Sequence, residues 1–162
     1  MSHGVVFRHR TLTVGGTFWP LHRGHRQLLD AAFADGLEVF IGLTSDAMAG
    51  TKESSGSIPS YGARKRDLLR YLKDKGCAER AHVFRIENEY GFAADFSNLQ
   101  AIAATEESLP NAQKINRRRV SRGMRPLDIV MVEMVPADDG RPISSRRIRS
   151  GEIDAEGRLK KA

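Results

Sequence analysis

Residues 15–25 read GGTFWPLHRGH and lie between a short apolar run and a helical pattern. The apolar run at residues 11–14 predicts a strand, and apolar side chains at helical spacing predict a helix over residues 23–35. A glycine-rich turn that leads from a strand into a helix presents unpaired backbone N–H groups, and such groups bind phosphate readily. The stretch therefore predicts a strand–loop–helix unit with an anion-binding loop.

The rest of the chain continues the alternation of strands and helices. Residues 37–44 read LEVFIGLT, a nearly continuous apolar run that predicts a strand buried on both faces. Further strands are predicted at residues 81–86, 99–105 and 127–135, helices at residues 61–75, 111–122 and 144–150, and a loop at residues 50–60. Alternation of this kind favours βαβ units. We therefore expect an α/β fold of the Rossmann-like, doubly wound kind, a mostly parallel five-stranded sheet with helices on both faces.

Length and composition limit the class of protein. The 162 residues are 40% hydrophobic and 28% charged, which predicts one globular domain. The single cysteine, Cys77, cannot form an internal disulfide, which fits a reducing cytoplasm. No apolar run approaches the ~20 residues of a membrane span, and residues 1–10 lack the apolar segment of a signal peptide. We therefore expect a cytoplasmic protein with no membrane partner.

The charge balance favours anionic partners. There are 26 Lys and Arg residues against 20 Asp and Glu, a net charge of +6, which suits nucleotides, phosphorylated metabolites or nucleic acid. The basic run at residues 117–119 fits either a solvated helix face or a nucleic-acid patch. No aromatic residues interleave with it, so a nucleic-acid partner is not favoured.

Two histidines stand three residues apart where the first helix is predicted to begin. This spacing puts the rings of His22 and His25 on one face, where imidazole and the helix N-terminus can stabilise the negative charge of phosphate. The same pair also fits incidental packing, or part of a zinc site. Zinc needs further ligands, and neither Cys77 nor the other histidines have a helpful spacing. No protein ligand to a metal is therefore predicted.

A second candidate motif lies near the other end of the chain. Residues 143–149 read ISSRRIR, which combines two hydroxyl side chains with three arginines at a predicted helix start. Alone, this pattern also fits a capped helix with a solvated basic face. With the first motif, it predicts the second half of one nucleotide site.

Taken together, the two segments resemble the paired motifs of the nucleotidyltransferase superfamily. GGTFWPLHRGH resembles GTFDxxHxGH, and ISSRRIR resembles ISSTRIR. Matching segments fall between and after them in the same order: residues 41–46, 58–64, 90–91, 105–107, 137–140 and 151–154. Over about residues 11–157 the chain is similar to the archaeal type of phosphopantetheine adenylyltransferase, which also occurs as a domain of eukaryotic CoA synthase. The resemblance therefore implies a single nucleotidyltransferase domain with its core at about residues 11–157 and tails at residues 1–10 and 158–162.

The resemblance implies an activity and a set of site residues. The reaction is the transfer of AMP from ATP, with Mg²⁺, to 4′-phosphopantetheine, which gives dephospho-CoA and pyrophosphate in coenzyme A biosynthesis. The implied catalytic residues are His22, His25 and Arg147. The implied ATP-binding residues are Gly16, Thr17, Phe18, His25, Glu106, Ser144, Ser145 and Arg147. The implied residues for the acceptor substrate are Thr17, Lys52 and Arg64.

Three residues depart from the family pattern. Trp19 replaces an Asp, Arg146 replaces a Thr, and Asn88 replaces an Asp before the Tyr-Gly pair. These departures leave open a slower enzyme or a nucleotide-binding protein without turnover, although both histidines and both serines are kept, which favours activity. An enzyme of the same chemistry with another acceptor also stays open: FMN, NMN, or glycerol 3-phosphate with CTP. The sequence does not specify an oligomeric state.

Overall fold

The computed structural model describes residues 4–50 and 58–160. The strands are β1 (His9–Gly16), β2 (Gly36–Thr44), β3 (Ala81–Ile86), β4 (Ala101–Ala104) and β5 (Asp128–Met131). The helices are α1 (Arg23–Asp35), α2 (Asp46–Gly50), α3 (Tyr61–Asp74), α4 (Leu109–Ser121) and α5 (Ser145–Arg149), with a 3₁₀ turn at Ala78–Arg80. None of the helices in this part of the chain is both long and apolar enough to cross a membrane.

The five strands form one sheet in the order β3-β2-β1-β4-β5, and every neighbouring pair is parallel. The chain builds outward from β1 through β2 to β3, and then returns to the other side of β1 to add β4 and β5. The order therefore reverses between β1 and β4. Open α/β sheets bind ligands at such a reversal, beyond the carboxyl ends of the strands. The predicted fold class is confirmed.

Alternation along β4 shows how the sheet is covered on both faces. Ala101 and Ala103 lie in the apolar cluster that contains the buried leucines of α1 and α3. Ile102 and Ala104 lie in a second cluster, with the buried face of α4. Since successive residues of a strand point to opposite faces, α1 and α3 cover one face of the sheet and α4 covers the other.

The strand β5 is shorter than the predicted run at residues 127–135. Its neighbour β4 ends at Ala104, whose carbonyl accepts from the N–H of Val132 at 2.8 Å. Beyond this bond the chain leaves the sheet, and Pro136 forms an isolated antiparallel bridge with Pro142. Its later apolar residues enter a third cluster, formed by Val135, Ala137, Ile143 and Ile153. The apolar run therefore serves two structures in succession, which periodicity alone does not separate.

The segment after α5 packs back onto the start of α1. The N–H of Arg23 donates to the carbonyl of Ala155 at 2.9 Å, and the side chain of Arg26 pairs with Glu156. These contacts hold the segment after α5 against the start of α1, near the carboxyl edge of the sheet.

Candidate active site

The two histidines of the first motif are held side by side at the start of α1. His22 is the N-cap of the helix, and its Nδ1 accepts a hydrogen bond from the N–H of His25 at 3.1 Å. The rings stack with centroids 3.7 Å apart and planes 14° apart. The Nδ1 of His25 donates to the carbonyl of Pro20 at 3.0 Å. Both histidines line the same cleft, and His22 uses its Nδ1 for the cap of α1.

Burial fixes the protonation state of His22. The side chain is 5% exposed, and this burial, with a smaller contribution from the charge of Arg26, lowers the pKa of His22 to about 4. At neutral pH the ring is uncharged. Because Nδ1 accepts a hydrogen bond, the single proton lies on Nε2, and His22 is a neutral N–H donor.

The glycine between the histidines makes room for the first ring. A Cβ on Gly24 would lie 2.9 Å from Cε1 and 3.1 Å from Nδ1 of His22. Any larger residue would push the ring out of its capping position. The tightest approach to Gly24 is therefore that of the neighbouring histidine ring.

Buried side chains within the loop between β1 and α1 support its conformation. Phe18 is 1% exposed, has a positive φ of 50°, and its ring lies 5.3 Å from the ring of His25. Its side chain is therefore unavailable to a nucleotide, and only its backbone could make contact. Thr17 is also buried, and its hydroxyl accepts from that of Thr44 at 3.0 Å.

The arginines of the second motif divide into two groups. Arg147 is 11% exposed, and its Nε donates to Glu152 at 2.8 Å. It also binds Asp139, whose pKa it helps to lower to about 2, and the carbonyl of Pro142 at 3.0 Å. This differs from the expectation that Arg147 would face the phosphates, because two carboxylates hold its guanidinium.

Arg146 and Arg149 face the site instead. Both line a polar cleft of about 510 Å³, together with the residues of both motifs: Thr17, Trp19, His22, His25, Ser144 and Ser145. In a helix, residues three apart share a face. By this rule Arg146 and Arg149 lie on one face of α5 and Arg147 lies on another. Helical spacing could therefore have predicted from the sequence which arginines line the cleft. The two motifs therefore meet, as predicted.

The resemblance also implies two site residues from the middle of the chain, Glu106 and Lys52. The polar cleft is lined by Thr105, Glu107 and Ser108, and the exposed Glu106 lies outside it. Lys52 lies outside the described residues.

Arg64 is fully buried and does not line the polar cleft. It donates to the carbonyl of Pro59 at 3.0 Å, to Thr44 Oγ1 at 3.1 Å and to Asp46 at 3.2 Å. A longer contact of 3.4 Å reaches the carbonyl of Thr17. This geometry suits an internal brace between the ends of β1 and β2 better than a ligand contact.

A second cavity adjoins the polar cleft. This apolar cavity has a volume of about 380 Å³ and lies between the sheet and α4. Its walls include Met48, Ile86, Tyr90, Phe92, Ala112 and Ile115. Gly15, Gly16 and Ser108 line both spaces, so the apolar cavity and the polar cleft meet at the carboxyl end of β1. Nothing in our reading of the sequence predicted this cavity.

Comparison with known proteins agrees with this geometry. A family model described as cytidylyltransferase-like matches residues 13–151. The chain is 44% identical to the phosphopantetheine adenylyltransferase of Methanothermobacter thermautotrophicus over 152 residues, which are 94% of this chain and 90% of the relative. The corresponding protein of Methanosarcina mazei is 45% identical over 153 residues, 93% of this chain and 97% of the relative.

A solved structure is similar over most of the chain. It is the crystal structure of a protein of unknown function from Archaeoglobus fulgidus, with a TM-score of 0.69 and 33% identity over 75% of this chain and 88% of that one. The family match and the two archaeal relatives each extend over most of the chain and include both motifs of the cleft. The chain therefore belongs to the cytidylyltransferase-like family and, within it, to the archaeal phosphopantetheine adenylyltransferases.

Proposed function

We propose that the protein transfers AMP from ATP to 4′-phosphopantetheine and releases pyrophosphate and dephospho-CoA. One observation carries the proposal: a cleft lined by cations and imidazoles meets an apolar cavity at Gly15 and Gly16. Such a pair of spaces suits a polyanionic nucleotide on one side and a long, weakly polar acceptor on the other. The names of the close relatives identify that acceptor.

The polar cleft is the proposed place of the triphosphate. His22 would donate from Nε2 to an oxygen of the α-phosphate, and His25 would do so as an imidazolium, with its Nδ1 proton on the Pro20 carbonyl and its Nε2 proton on the phosphate. Ser144, Ser145 and Arg149 would bind the β- and γ-phosphates from the other side. The proposed catalytic residues are His22 and His25. Arg147 keeps a positioning role, because it fixes the segment before α5 through Asp139 and Pro142.

The apolar cavity is the proposed place of the pantetheine arm. Its aliphatic and aromatic walls suit the dimethyl and methylene groups of that arm. The acceptor phosphate would then lie near Gly15 and Gly16, next to the α-phosphate of ATP. Lys52 stays a proposed contact to the acceptor phosphate.

The chemistry is a displacement at phosphorus that needs no protein nucleophile. An oxygen of the acceptor phosphate forms a bond to the α-phosphorus, and the bond from that phosphorus to the bridging oxygen of the β-phosphate breaks. Pyrophosphate leaves with that oxygen. A phosphate monoester is largely ionised at pH 7, so no general base is required. The protein contributes alignment of two anions and stabilisation of the charge that develops.

Mg²⁺ is proposed to arrive with ATP as part of the substrate. Among residues 4–50 and 58–160, no group of three or more His, Cys, Asp or Glu side chains is arranged to hold a metal ion. Mg²⁺ commonly binds through substrate phosphates and water with few protein ligands. The arginines and imidazoles of this cleft suit the phosphates of MgATP. We also place the reaction in the cytoplasm, since the single, buried Cys77 suits a reducing compartment.

The test is pyrophosphate release from MgATP with each acceptor in turn. Release with 4′-phosphopantetheine alone is expected. Release with FMN, NMN, or glycerol 3-phosphate and CTP would keep the chemistry and overturn the substrate. No release with any acceptor, together with measurable ATP binding, would identify a nucleotide-binding protein without turnover.

Trp19 offers a second test of catalysis, because it lines the polar cleft where the family motif has an Asp. Trp19→Asp should raise turnover if the cleft is a working but impaired active site. Trp19→Phe is the matched control, since it also shortens the side chain but adds no carboxylate. Equal turnover in both variants would contradict an impaired site.

A further inference from the structure

The arginine run of α4 does not form a solvated face throughout. Arg119 is fully buried. Its Nη1 donates to the carbonyls of Ala93 at 2.8 Å and Phe96 at 2.9 Å, and its Nε donates to the carbonyl of Arg125 at 2.8 Å. A single guanidinium therefore binds two separate segments of backbone.

One of those segments forms a wall of the apolar cavity. The four consecutive residues Tyr90, Gly91, Phe92 and Ala93 line it, and Arg119 binds the carbonyl of the last of them. The wall starts in a tight turn, in which Asn88 Oδ1 accepts from the N–H groups of Tyr90 at 3.0 Å and Gly91 at 3.1 Å. An amide oxygen thus satisfies this turn without a charge.

The turn also limits what can replace its glycine. Gly91 has a φ of +50°, and a Cβ there would lie 2.8 Å from Ile86. The backbone of the wall is therefore close to the end of β3 on one side. On the other side, α4 is its neighbour.

Further side chains of α4 bind the same wall from outside. Arg122 pairs with Asp95, and Lys114 pairs with Glu89. The guanidinium of Arg118 lies 4.2 Å from the centroid of the Tyr90 ring. These contacts are more exposed than those of Arg119, and exposed pairs contribute little. Arg119 is the buried member of the set.

We propose that Arg119 is a positioning residue for acceptor binding, which holds the wall at residues 90–93 at the distance from the sheet that the pantetheine arm requires. The identity of the acceptor rests on the proposed function, whereas the restraint on the wall does not. Arginine suits the task because its planar fork donates in several fixed directions, and lysine offers only a compact charge. The sheet forms one side of the apolar cavity, and Arg119 fixes the position of the wall on the other side.

The first test separates acceptor affinity from ATP affinity. Arg119→Lys should raise KM for 4′-phosphopantetheine by about 10-fold or more, because a wall displaced by about 1 Å misplaces the arm. KM for ATP should stay within about 2-fold, since the polar cleft is lined by other elements. Arg117→Lys, at an exposed position of the same helix, is the matched control and should change neither constant. Equal increases in both KM values, or a fall in kcat alone, would overturn the proposal.

The second test needs no substrate. Amide hydrogen exchange at residues 89–96 should be faster in Arg119→Lys than in the wild type, and unchanged in Arg117→Lys. If Arg119→Lys does not fold, Arg119→Gln carries the test, because its amide is neutral, costs less to bury than a charge, and cannot bind Ala93, Phe96 and Arg125 together. Unchanged exchange there would then overturn the proposal. A wild-type protein that does not use 4′-phosphopantetheine would refute the proposed function, and the exchange measurement would still decide the role of Arg119.

Discussion

The strand β1 carries a histidine environment at each end, and the two environments differ in charge. At its amino end, His9 binds Asp35 at 2.5 Å and Asp128 at 3.0 Å. Burial pulls the pKa of His9 down, but the two carboxylates outweigh burial and the net shift is upward. Beyond its carboxyl end, burial and Arg26 lower the pKa of His22. The surroundings of His9 therefore favour the protonated imidazole, whereas those of His22 favour the neutral one.

The difference separates structural contacts from groups that can act on a ligand. His9 uses both ring nitrogens on partners within the protein, so it has nothing to offer a substrate. His22 uses one nitrogen on a backbone N–H and directs a neutral donor toward a cleft lined by arginines. Arg147 resembles His9 in this respect, because carboxylates hold it.

The largest expected effect is at the carboxyl end. His25→Ala should lower turnover by about 10²–10³-fold, as expected for loss of one donor to the transition state. The fold should persist, since the Nδ1 contact to Pro20 is local to this loop. Steady-state kinetics and far-UV circular dichroism check both points. Near-normal turnover would contradict the role proposed for His25.

The next effect concerns stability in acid. The pKa of His22 is about 4 in the folded protein against 6.5 for an unperturbed histidine, so between these pH values the unfolded chain binds a proton that the folded one does not. The free energy of unfolding should therefore fall as pH drops from 6.5 to 4, by on the order of 3 kcal/mol.

His22→Asn is the matched variant for that measurement, because its side-chain oxygen can cap α1 and does not titrate. Denaturant unfolding across this pH range should show a flatter dependence in the variant. The same slope in both proteins would contradict the origin we assign to it.

A smaller effect should distinguish the arginines of α5. Arg146→Ala removes a cation that lines the polar cleft and should raise KM for ATP by about 10-fold, in line with loss of one charge-assisted hydrogen bond. Arg147→Lys should act mainly on thermal stability, since Asp139 and Glu152 lose a bidentate partner. A larger change in KM for ATP in Arg147→Lys than in Arg146→Ala would reverse our assignment.

The smallest effect is at the amino end. His9 has a raised pKa, so its contribution to stability is complete below pH 6.5 and is lost as pH rises through the folded pKa. His9→Gln should lower the free energy of unfolding by about 1 kcal/mol at low pH, with less loss at high pH, and turnover should not change. A change in turnover would show that the two ends of β1 are coupled.

The sequence predicted the parts of this molecule that depend on local pattern. Periodicity placed α1 at its observed bounds and identified all five strands. The two motifs taken together, and their resemblance to paired family motifs, predicted that His22 and His25 would lie near Ser144 and Ser145, and the four residues line one cleft.

Features that depend on distant partners were not predictable in this way. The end of β5 depends on where β4 stops, and the role of Arg147 depends on Asp139 and Glu152. Arg119 lies in a run of three arginines with identical local pattern, and only tertiary packing buries one of them. The neighbouring sequence of a charged residue does not show whether the folded protein buries it.

The hydrogen bond between Arg23 and Ala155 closes a loop of 132 residues, and the pair between Arg26 and Glu156 closes one of 130 residues. Contacts of such sequence separation form late in folding, because the entropy of closing the loop must be met before the contact stabilises anything. The histidine pair of α1 is synthesised well before α5. It therefore meets the opposing Arg146 and Arg149 only after the chain through α5 has been made, and the contacts of residues 155 and 156 with α1 then hold the two halves of the cleft together.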